Sequence, residues 1–374
     1  MQNLREKAFA WKNSDDSAVK AVIRKAMSGQ PVTVAALGGS ITEGFFSSVP
    51  EKSYAGIMAK WWKENFPEVK ISYVNAGIGA TDSYLGLHRA SRDVLSHDPD
   101  FMIVDFTVND TAEPFYEKSY ERLIKTLLSA KSRPAVVLLF MTMEDGTNAQ
   151  AYHSKVGKKY NLPMISYGNV VLAEIEAGQY KWTDISPDDI HPNDKGHEIA
   201  GGLVCTYLDR LYHECRAEQK ALPTEDIQGK ESEEKSPQGI CLPPAEGIGN
   251  ILDGESITPK SSGSWKKVDL HPHLHHGWLG DTQSGALEFE LEFANFGLTY
   301  WKAVDGSFGK AEIYIDGKCE KILNGNFPDG WGDFGRSDEI YTSDKKEKHQ
   351  VTIRVLSEER KTTKFAVLAL LVSG

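Results

Sequence analysis

Ser40, Asn109, Asp188 and His191 stand in short segments whose order and composition suit the cleavage of an ester at a serine. That reaction needs a nucleophile, a base to take its proton, a carboxylate to fix the base's tautomer, and donors facing the developing oxyanion. Ser40 lies in Gly38-Gly39-Ser40-Ile41-Thr42, a glycine-rich turn from which a hydroxyl can project and backbone N–H groups can face an anion. Asp188 precedes His191 by three positions, a spacing that in a turning loop brings a carboxylate to Nδ1 and leaves Nε2 free for Ser40. Pro187 and Pro192 flank the pair and restrict its loop. Should Asp188 point away, Asp184 or Asp189 takes its place. Asn109 offers a side-chain amide to the oxyanion, joined by backbone N–H groups of Ser40 and of the Gly77 to Ala80 turn. Each segment alone is common in loops; their combination in this order points to a catalytic site.

The elements that must position these residues are readable from apolar runs. Val32 to Leu37, Val69 to Val74, Phe101 to Phe106, Ala135 to Phe140 and Met164 to Ser166 read as strands. Between them, Asp16 to Met27, Tyr54 to Phe66, Ser83 to Leu95, Tyr116 to Ala130 and Ala149 to Tyr160 read as helices, with a last helix from Asp194 to about Cys215. This is the pattern of βα units building a parallel sheet covered on both faces. Ser40, the glycines after Val74, and Asn109 all follow strands, where the ligand crevice of such a sheet lies.

Residues 1–215 therefore read as one domain, 216–239 as a polar linker and 240–374 as a second domain. In the latter the period drops toward two, with Ala286 to Phe293, Lys310 to Ile315, Cys319 to Leu323, Gln350 to Val355 and Phe365 to Val372 as strands, and Asp316-Gly317 as a hairpin signal. Several short strands with Gly-rich turns predict an all-β, jelly-roll-like sandwich. The net charge of −11 makes nucleic acid or an anionic membrane an unfavourable partner. Four cysteines without C-x-x-C spacing read as reduced thiols, and the N-terminal segment lacks a signal peptide's apolar core, so a cytoplasmic location is expected.

The four segments resemble the SGNH (GDSL-type) hydrolases, in which Ser, Gly, Asn and His lie in four ordered blocks. The resemblance covers residues 30 to about 214 and implies a flavodoxin-like, three-layer α/β/α fold with Ser40, Asp188 and His191 as the triad. It also implies an oxyanion hole of Ser40, Gly79 and Asn109. Two departures stand out: the first block reads Gly-Gly-Ser-Ile-Thr, and an ungapped match from Asn75 puts Ala80 at the usual glycine, leaving Gly79 or Ala80 as the backbone donor. An α/β-hydrolase would need G-x-S-x-G around the nucleophile, and a phosphate loop would need Gly-Lys-Ser/Thr after Gly44; neither is present.

An SGNH domain followed by a β-sandwich resembles two-domain carbohydrate acetylesterases acting on mannan or xylan oligosaccharides. That implies deacetylation through an acetyl-enzyme, an acetylated oligosaccharide as partner, and no cofactor. Trp331, in the glycine-rich run Gly325 to Gly335, is the aromatic expected to bind substrate, at a site shared with Ser40; Trp265, Trp278 and Trp301 are expected to pack the sandwich. The alternatives are a lipid or thioester hydrolase of the same fold, or a non-catalytic glycan-binding protein. His271, His273, His275 and His276 read as an exposed loop rather than a metal site, His197 reads as structural, and Trp182 and Asp184 either line the site or serve the loop before His191.

Overall fold

The computed structural model describes Ala8 and residues 14–221, 248–357 and 363–374. The chain divides into two compact units. One comprises residues up to Ser83 together with those from Asp93 through the last helix; the other joins Tyr84–Arg92 to the β-rich C-terminal part.

In the first unit, strands β1 (Val32–Gly38), β2 (Ile71–Gly77), β3 (Phe101–Asp105), β4 (Ala135–Phe140) and β5 (Met164–Ser166) pair in parallel in the order β2-β1-β3-β4-β5. This is the flavodoxin-like order, whose crevice opens where the winding reverses beside β1. Helices α1 (Ser17–Met27), α2 (Ser40–Glu43), α3 (Tyr54–Asn65), α4 (Ser83–Asp93), α5 (Pro114–Leu128), α6 (Gln150–Lys159), α7 (Tyr167–Glu176) and α8 (Asp194–Ala221) follow or connect them. Val34 and Ala36 of β1, Phe101 and Ile103 of β3 and Val137 and Leu139 of β4 share one core with α1, α3, α7 and α8. Their neighbours Ala35, Leu37, Met102, Val104 and Leu138 point the other way and are fully buried too. Burial on both faces is why these strands read as nearly continuous apolar runs, interrupted only by Thr33 in β1 and Asp105 at the end of β3.

Three elements depart from expectation. β2 begins at Ile71 because the Val69 N–H turns back onto the Phe66 carbonyl (3.0 Å), and it continues to Gly77 in register with Gly38. α7 starts directly at the end of β5, with Ser166 Oγ capping it through the Asn169 N–H (3.1 Å). α8 runs to Ala221, so residues 216–221 of the expected linker are helical; residues 222–247 lie outside the described set. Those last turns are polar because they pair with α1: Lys20 reaches Glu214 (2.8 Å) and Glu218 (3.2 Å), and Arg24 reaches Glu218 (2.6 Å).

The second unit is antiparallel. Its strands are β6 (Asn250–Leu252), β7 (Lys266–Val268), β8 (Gly277–Asp281), β9 (Leu287–Lys302), β10 (Lys310–Ile315), β11 (Lys318–Asn324), β12 (Phe334–Val355) and β13 (Lys364–Ser373), hydrogen-bonded as β11-β10-β12-β9-β13-β8-β7 with β6 also on β13. β9 and β12 are far longer than expected. In β9, Leu287, Phe289, Leu291 and Phe293 face the core at odd positions, whereas Phe296, Leu298 and Tyr300 face it at even ones. The parity flips at Ala294-Asn295, where the pairing with β12 slips between Thr342 and Glu347. A bulge of this kind lets one strand turn a corner and keep its apolar side on a single core, which closes the sandwich. α4 groups with this unit rather than with the expected first domain, because Gly297 and Gly249 leave room for it: a Cβ at Gly297 would strike Tyr84 Oη, and one at Gly249 would lie 2.9 Å from His88 Cα.

Candidate active site

Ser40 is the first residue of α2, immediately beyond β1, and is largely buried. The single turn of α2 is pressed onto the strand ends by glycines. A Cβ at Gly77 would overlap the Glu43 amide nitrogen, and one at Gly38 would overlap the Thr42 hydroxyl. Asn75 Nδ2 donates to the Thr42 carbonyl (2.9 Å) and its Oδ1 accepts from the Gly77 N–H (2.9 Å), which ties the second segment to the first. Thr42 Oγ1 is 2.7 Å from the Tyr54 hydroxyl, which anchors α2 to α3.

Ser40 Oγ lies 2.9 Å from His191 Nε2, and His191 Nδ1 lies 2.8 Å from Asp188 Oδ2. The other carboxylate oxygen of Asp188 accepts the backbone N–H groups of Ile190 (2.8 Å) and His191 (2.6 Å). Burial alone would raise the Asp188 carboxyl, but those two N–H groups and the imidazole outweigh it and hold the carboxyl below its ordinary value. An ionised Asp188 fixes the proton on Nδ1 and leaves Nε2 as an acceptor for Ser40. Of the three aspartates considered from sequence, Asp188 is the one on His191. Asp184 instead accepts the Lys181 N–H (2.9 Å), and the Asp189 carbonyl accepts the Glu144 N–H (2.8 Å).

The loop carrying the pair is held from behind. Trp182 Nε1 donates to the Asp188 carbonyl (2.7 Å), and Ser186 Oγ sits 2.6 Å from the carbonyls of both Asp188 and His191. Trp182 thus serves the loop by hydrogen bonding, while Ser186 carried no sequence signal beyond its place between Ile185 and Pro187.

The Asn109 side chain lies against Gly39, where any Cβ would overlap its Oδ1, so the amide sits beside the nucleophile. Gly79 borders Ser40 as well: a Cβ there would be 3.9 Å from the Ser40 Cβ, and Ala80 follows in the left-handed region at φ 56°. A buried pair that sequence reasoning missed braces the Asn109 segment. Asp110 Oδ2 accepts from His153 Nε2 (2.9 Å) and Oδ1 accepts the Ser83 N–H (2.9 Å), while the Tyr120 ring stacks on His153 at 3.6 Å. One strand-end carboxyl is unusual: burial pushes Asp105 up to about 6, against hydrogen bonds from the Thr107 hydroxyl and N–H.

His197 is structural, as read. Its Nδ1 accepts the Tyr54 N–H (3.3 Å), which assigns the proton to Nε2, and Nε2 donates to the Phe45 carbonyl (3.1 Å). Burial holds it below its ordinary value, so it stays neutral.

In the second unit Trp331 is 71% exposed, stacked on Phe334 at 4.8 Å and edge-on to Phe327 at 6.1 Å, whereas Trp265 and Trp278 are buried in the core. The histidine segment is not uniformly exposed: His271 is buried, its Nδ1 accepts the His273 N–H (3.1 Å), and its pKa is driven down to about 4 by burial and the neighbouring His273, His275 and Arg89. Among the described residues no three metal-ligating side chains gather.

These positions can be set beside known proteins. Residues 36–199, which include Ser40, Asn109, Asp188 and His191, match the model of the GDSL-like lipase/acylhydrolase family. Thioesterase 1/protease 1/lysophospholipase L1 of Escherichia coli (strain K12) is 24% identical over 187 residues, 48% of this chain and 84% of that protein. Over both units the chain is similar to the crystal structure of a two-domain esterase (CEX) active on acetylated mannans, with TM-score 0.84, 29% identity and coverage of 99% of this chain and 98% of that one. The structure of that esterase co-crystallized with mannopentaose matches at TM-score 0.84 and 30% identity, again over 99% and 98% of the two chains. With Ser40, His191 and Asp188 joined at hydrogen-bonding distances and the Asn109 amide beside them, and with likeness running through both units, the chain belongs to the GDSL-like lipase/acylhydrolase family.

Proposed function

We propose that this protein is a serine esterase that removes O-acetyl groups from acetylated mannan-type oligosaccharides through an acetyl-enzyme intermediate. The observation that carries the reading is the chain from Ser40 Oγ to His191 Nε2 (2.9 Å) and from Nδ1 to Asp188 (2.8 Å). The full-length similarity to an esterase active on acetylated mannans supports the substrate class.

In this mechanism Ser40 Oγ attacks the acetyl carbonyl carbon while His191 Nε2 takes the hydroxyl proton, and Asp188 stabilises the imidazolium that forms. The carbonyl oxygen becomes an oxyanion held by the Ser40 and Gly79 N–H groups and the Asn109 amide. The tetrahedral adduct then breaks its C–O bond to the sugar, and His191 returns the proton to the departing sugar oxygen. Water, deprotonated by His191, attacks the acetyl-enzyme and releases acetate and free Ser40. The residues carry every proton, so the chemistry calls on no cofactor. Trp331, broad and exposed, serves in this reading as a face on which a sugar ring of the oligosaccharide stacks.

The test is acetate release from a panel of acetylated manno- and xylo-oligosaccharides, read by mass spectrometry, with octanoyl esters alongside. Wild-type protein should deacetylate the mannan series and prefer acetyl to octanoyl strongly. Ser40→Ala should abolish release, and Asn109→Ala should lower kcat by about a hundredfold or more, the cost of losing one oxyanion donor. A preference for octanoyl would favour the lipid or thioester reading, and normal turnover by folded Ser40→Ala would overturn the assignment.

A further inference from the structure

Two phenylalanines stand beside the imidazole with no part in the acyl-transfer scheme. Phe45 and Phe46 follow α2 and are 48% and 45% exposed, so each leaves about half of a large apolar ring in water. Their centroids lie 4.5 Å apart, and 4.7 Å and 5.9 Å from the His191 ring. Single exposed apolar residues are ordinary, but an adjoining pair set against a reactive imidazole is not.

The segment that presents them is fixed. The Phe45 N–H donates to the Ser40 carbonyl (3.0 Å), and the Phe45 carbonyl accepts from buried His197. Asp194 grips the next turn through the Ser48 N–H (2.7 Å), the Ser48 hydroxyl (2.8 Å) and Lys52 (2.6 Å), contacts that hold its carboxyl down to about 2. Phe46 sits at φ 62°, in the left-handed region that a bulky aromatic rarely adopts. A rigid loop thus holds a strained aromatic out toward solvent, the opposite of what core packing would select, and such strain gathers where a ligand is held.

The chemistry of the triad says which part of the substrate meets these rings. Nε2 must return its proton to the departing oxygen, so the alcohol side of the ester has to lie within hydrogen-bonding reach of His191. The carbonyl oxygen points instead toward the donors at Gly79 and Asn109. Rings centred within 6 Å of the imidazole therefore border the leaving group. A pyranose has one face lined by C–H bonds and hydroxyls at its rim, which suits an aromatic wall better than a short alkyl alcohol does.

We propose that Phe45 and Phe46 form the binding wall for the sugar residue that carries the acetyl group, and so select the leaving group rather than the acyl chain. This rests on the acetylesterase reading above. The experiment compares kcat/KM for wild type, Phe45→Ala and Phe46→Gly on acetylated mannotriose, on ethyl acetate, and on the acetyl and butyryl esters of one common alcohol. Phe46→Gly removes the ring while relieving the positive φ, so it keeps the fold; melting temperatures check both variants. The ratio of activity on acetylated mannotriose to that on ethyl acetate should fall tenfold or more in each variant, while the acetyl-to-butyryl ratio stays within about twofold of wild type. Phe45→Tyr, which keeps a ring, should restore the first ratio. Equal losses on the two acetyl esters would overturn the inference, since the rings would then act through His191, and so would a change in acyl preference. Wild-type protein that cleaves ethyl acetate but no acetylated sugar would overturn the substrate reading and this inference together. Normal sugar deacetylation untouched by either variant would overturn this inference alone.

Discussion

Replacing Asp188 by asparagine should cripple the enzyme while leaving it folded, and by more than the cruder change to alanine. Asp188 Oδ1 accepts two backbone N–H groups, at 2.8 and 2.6 Å, so the asparagine must direct its carbonyl oxygen there; an NH₂ in that position would confront two donors. Its NH₂ then falls where Oδ2 stood, 2.8 Å from His191 Nδ1, and donates to it. The imidazole is forced to carry its proton on Nε2, which at 2.9 Å from Ser40 Oγ now donates instead of accepting. Restoring the active tautomer would set two N–H donors face to face. In serine proteases the same exchange lowers kcat by about 10⁴, equivalent to roughly 5 kcal/mol, and the geometry here predicts a loss of that order. Alanine leaves a gap instead. The Asp188 side chain is 36% exposed, so water can enter and accept from Nδ1–H, while Trp182 and Ser186 still hold the loop carbonyls. We expect Asp188→Ala to retain about tenfold more activity than Asp188→Asn. The assay is kcat for acetate release at pH 7 to 9, with melting temperatures measured in parallel. Asparagine retaining more than a tenth of wild-type kcat, or alanine proving the worse of two equally stable variants, would refute the tautomer argument.

Two further outcomes concern packing and protonation. Gly77→Ala should cost more than about 3 kcal/mol or prevent folding, because its Cβ would overlap backbone atoms of α2, whereas Gly79→Ala should keep near-normal stability, because its nearest neighbour is the flexible end of Glu43 at 3.1 Å; denaturant titration of both variants separates the cases. His271 is a base whose folded pKa, about 4, lies below the ordinary 6.5, so the folded state binds fewer protons and its stabilising contribution is complete above about pH 6.5. It is lost as pH falls toward 4, by about 3 kcal/mol in all. His271→Asn, whose Oδ1 can still accept the His273 N–H, should flatten the fall in melting temperature over that window, and an unchanged slope would exclude His271 as its source.

What could be read from the sequence was whatever is local along the chain. Val32 to Leu37 and Phe101 to Phe106 are apolar runs interrupted only by Thr33 and Asp105 because both sheet faces are covered, and Ser40 and Asn109 come shortly after them, while Asp188 and His191 were legible from their own three-residue spacing. α7 was not, because Ser166 both ends β5 and caps the helix, and Val170-Val171 carries β-branched residues into it. The last turns of α8 look like linker by composition, and only their ion pairs with Lys20 and Arg24, nearly two hundred residues earlier, explain their charge. The charged stretch Lys345 to Lys348 hid the length of β12 in the same way, since its pairing with β9 breaks and resumes around it. His197 makes the point most sharply. Its structural role was legible from its place on a helix, but its partner is the carbonyl of Phe45, 152 positions away. That hydrogen bond helps to hold the segment that presents the two aromatic rings beside the imidazole, a dependence that no local pattern encodes because its two ends meet only when the sheet has formed between them.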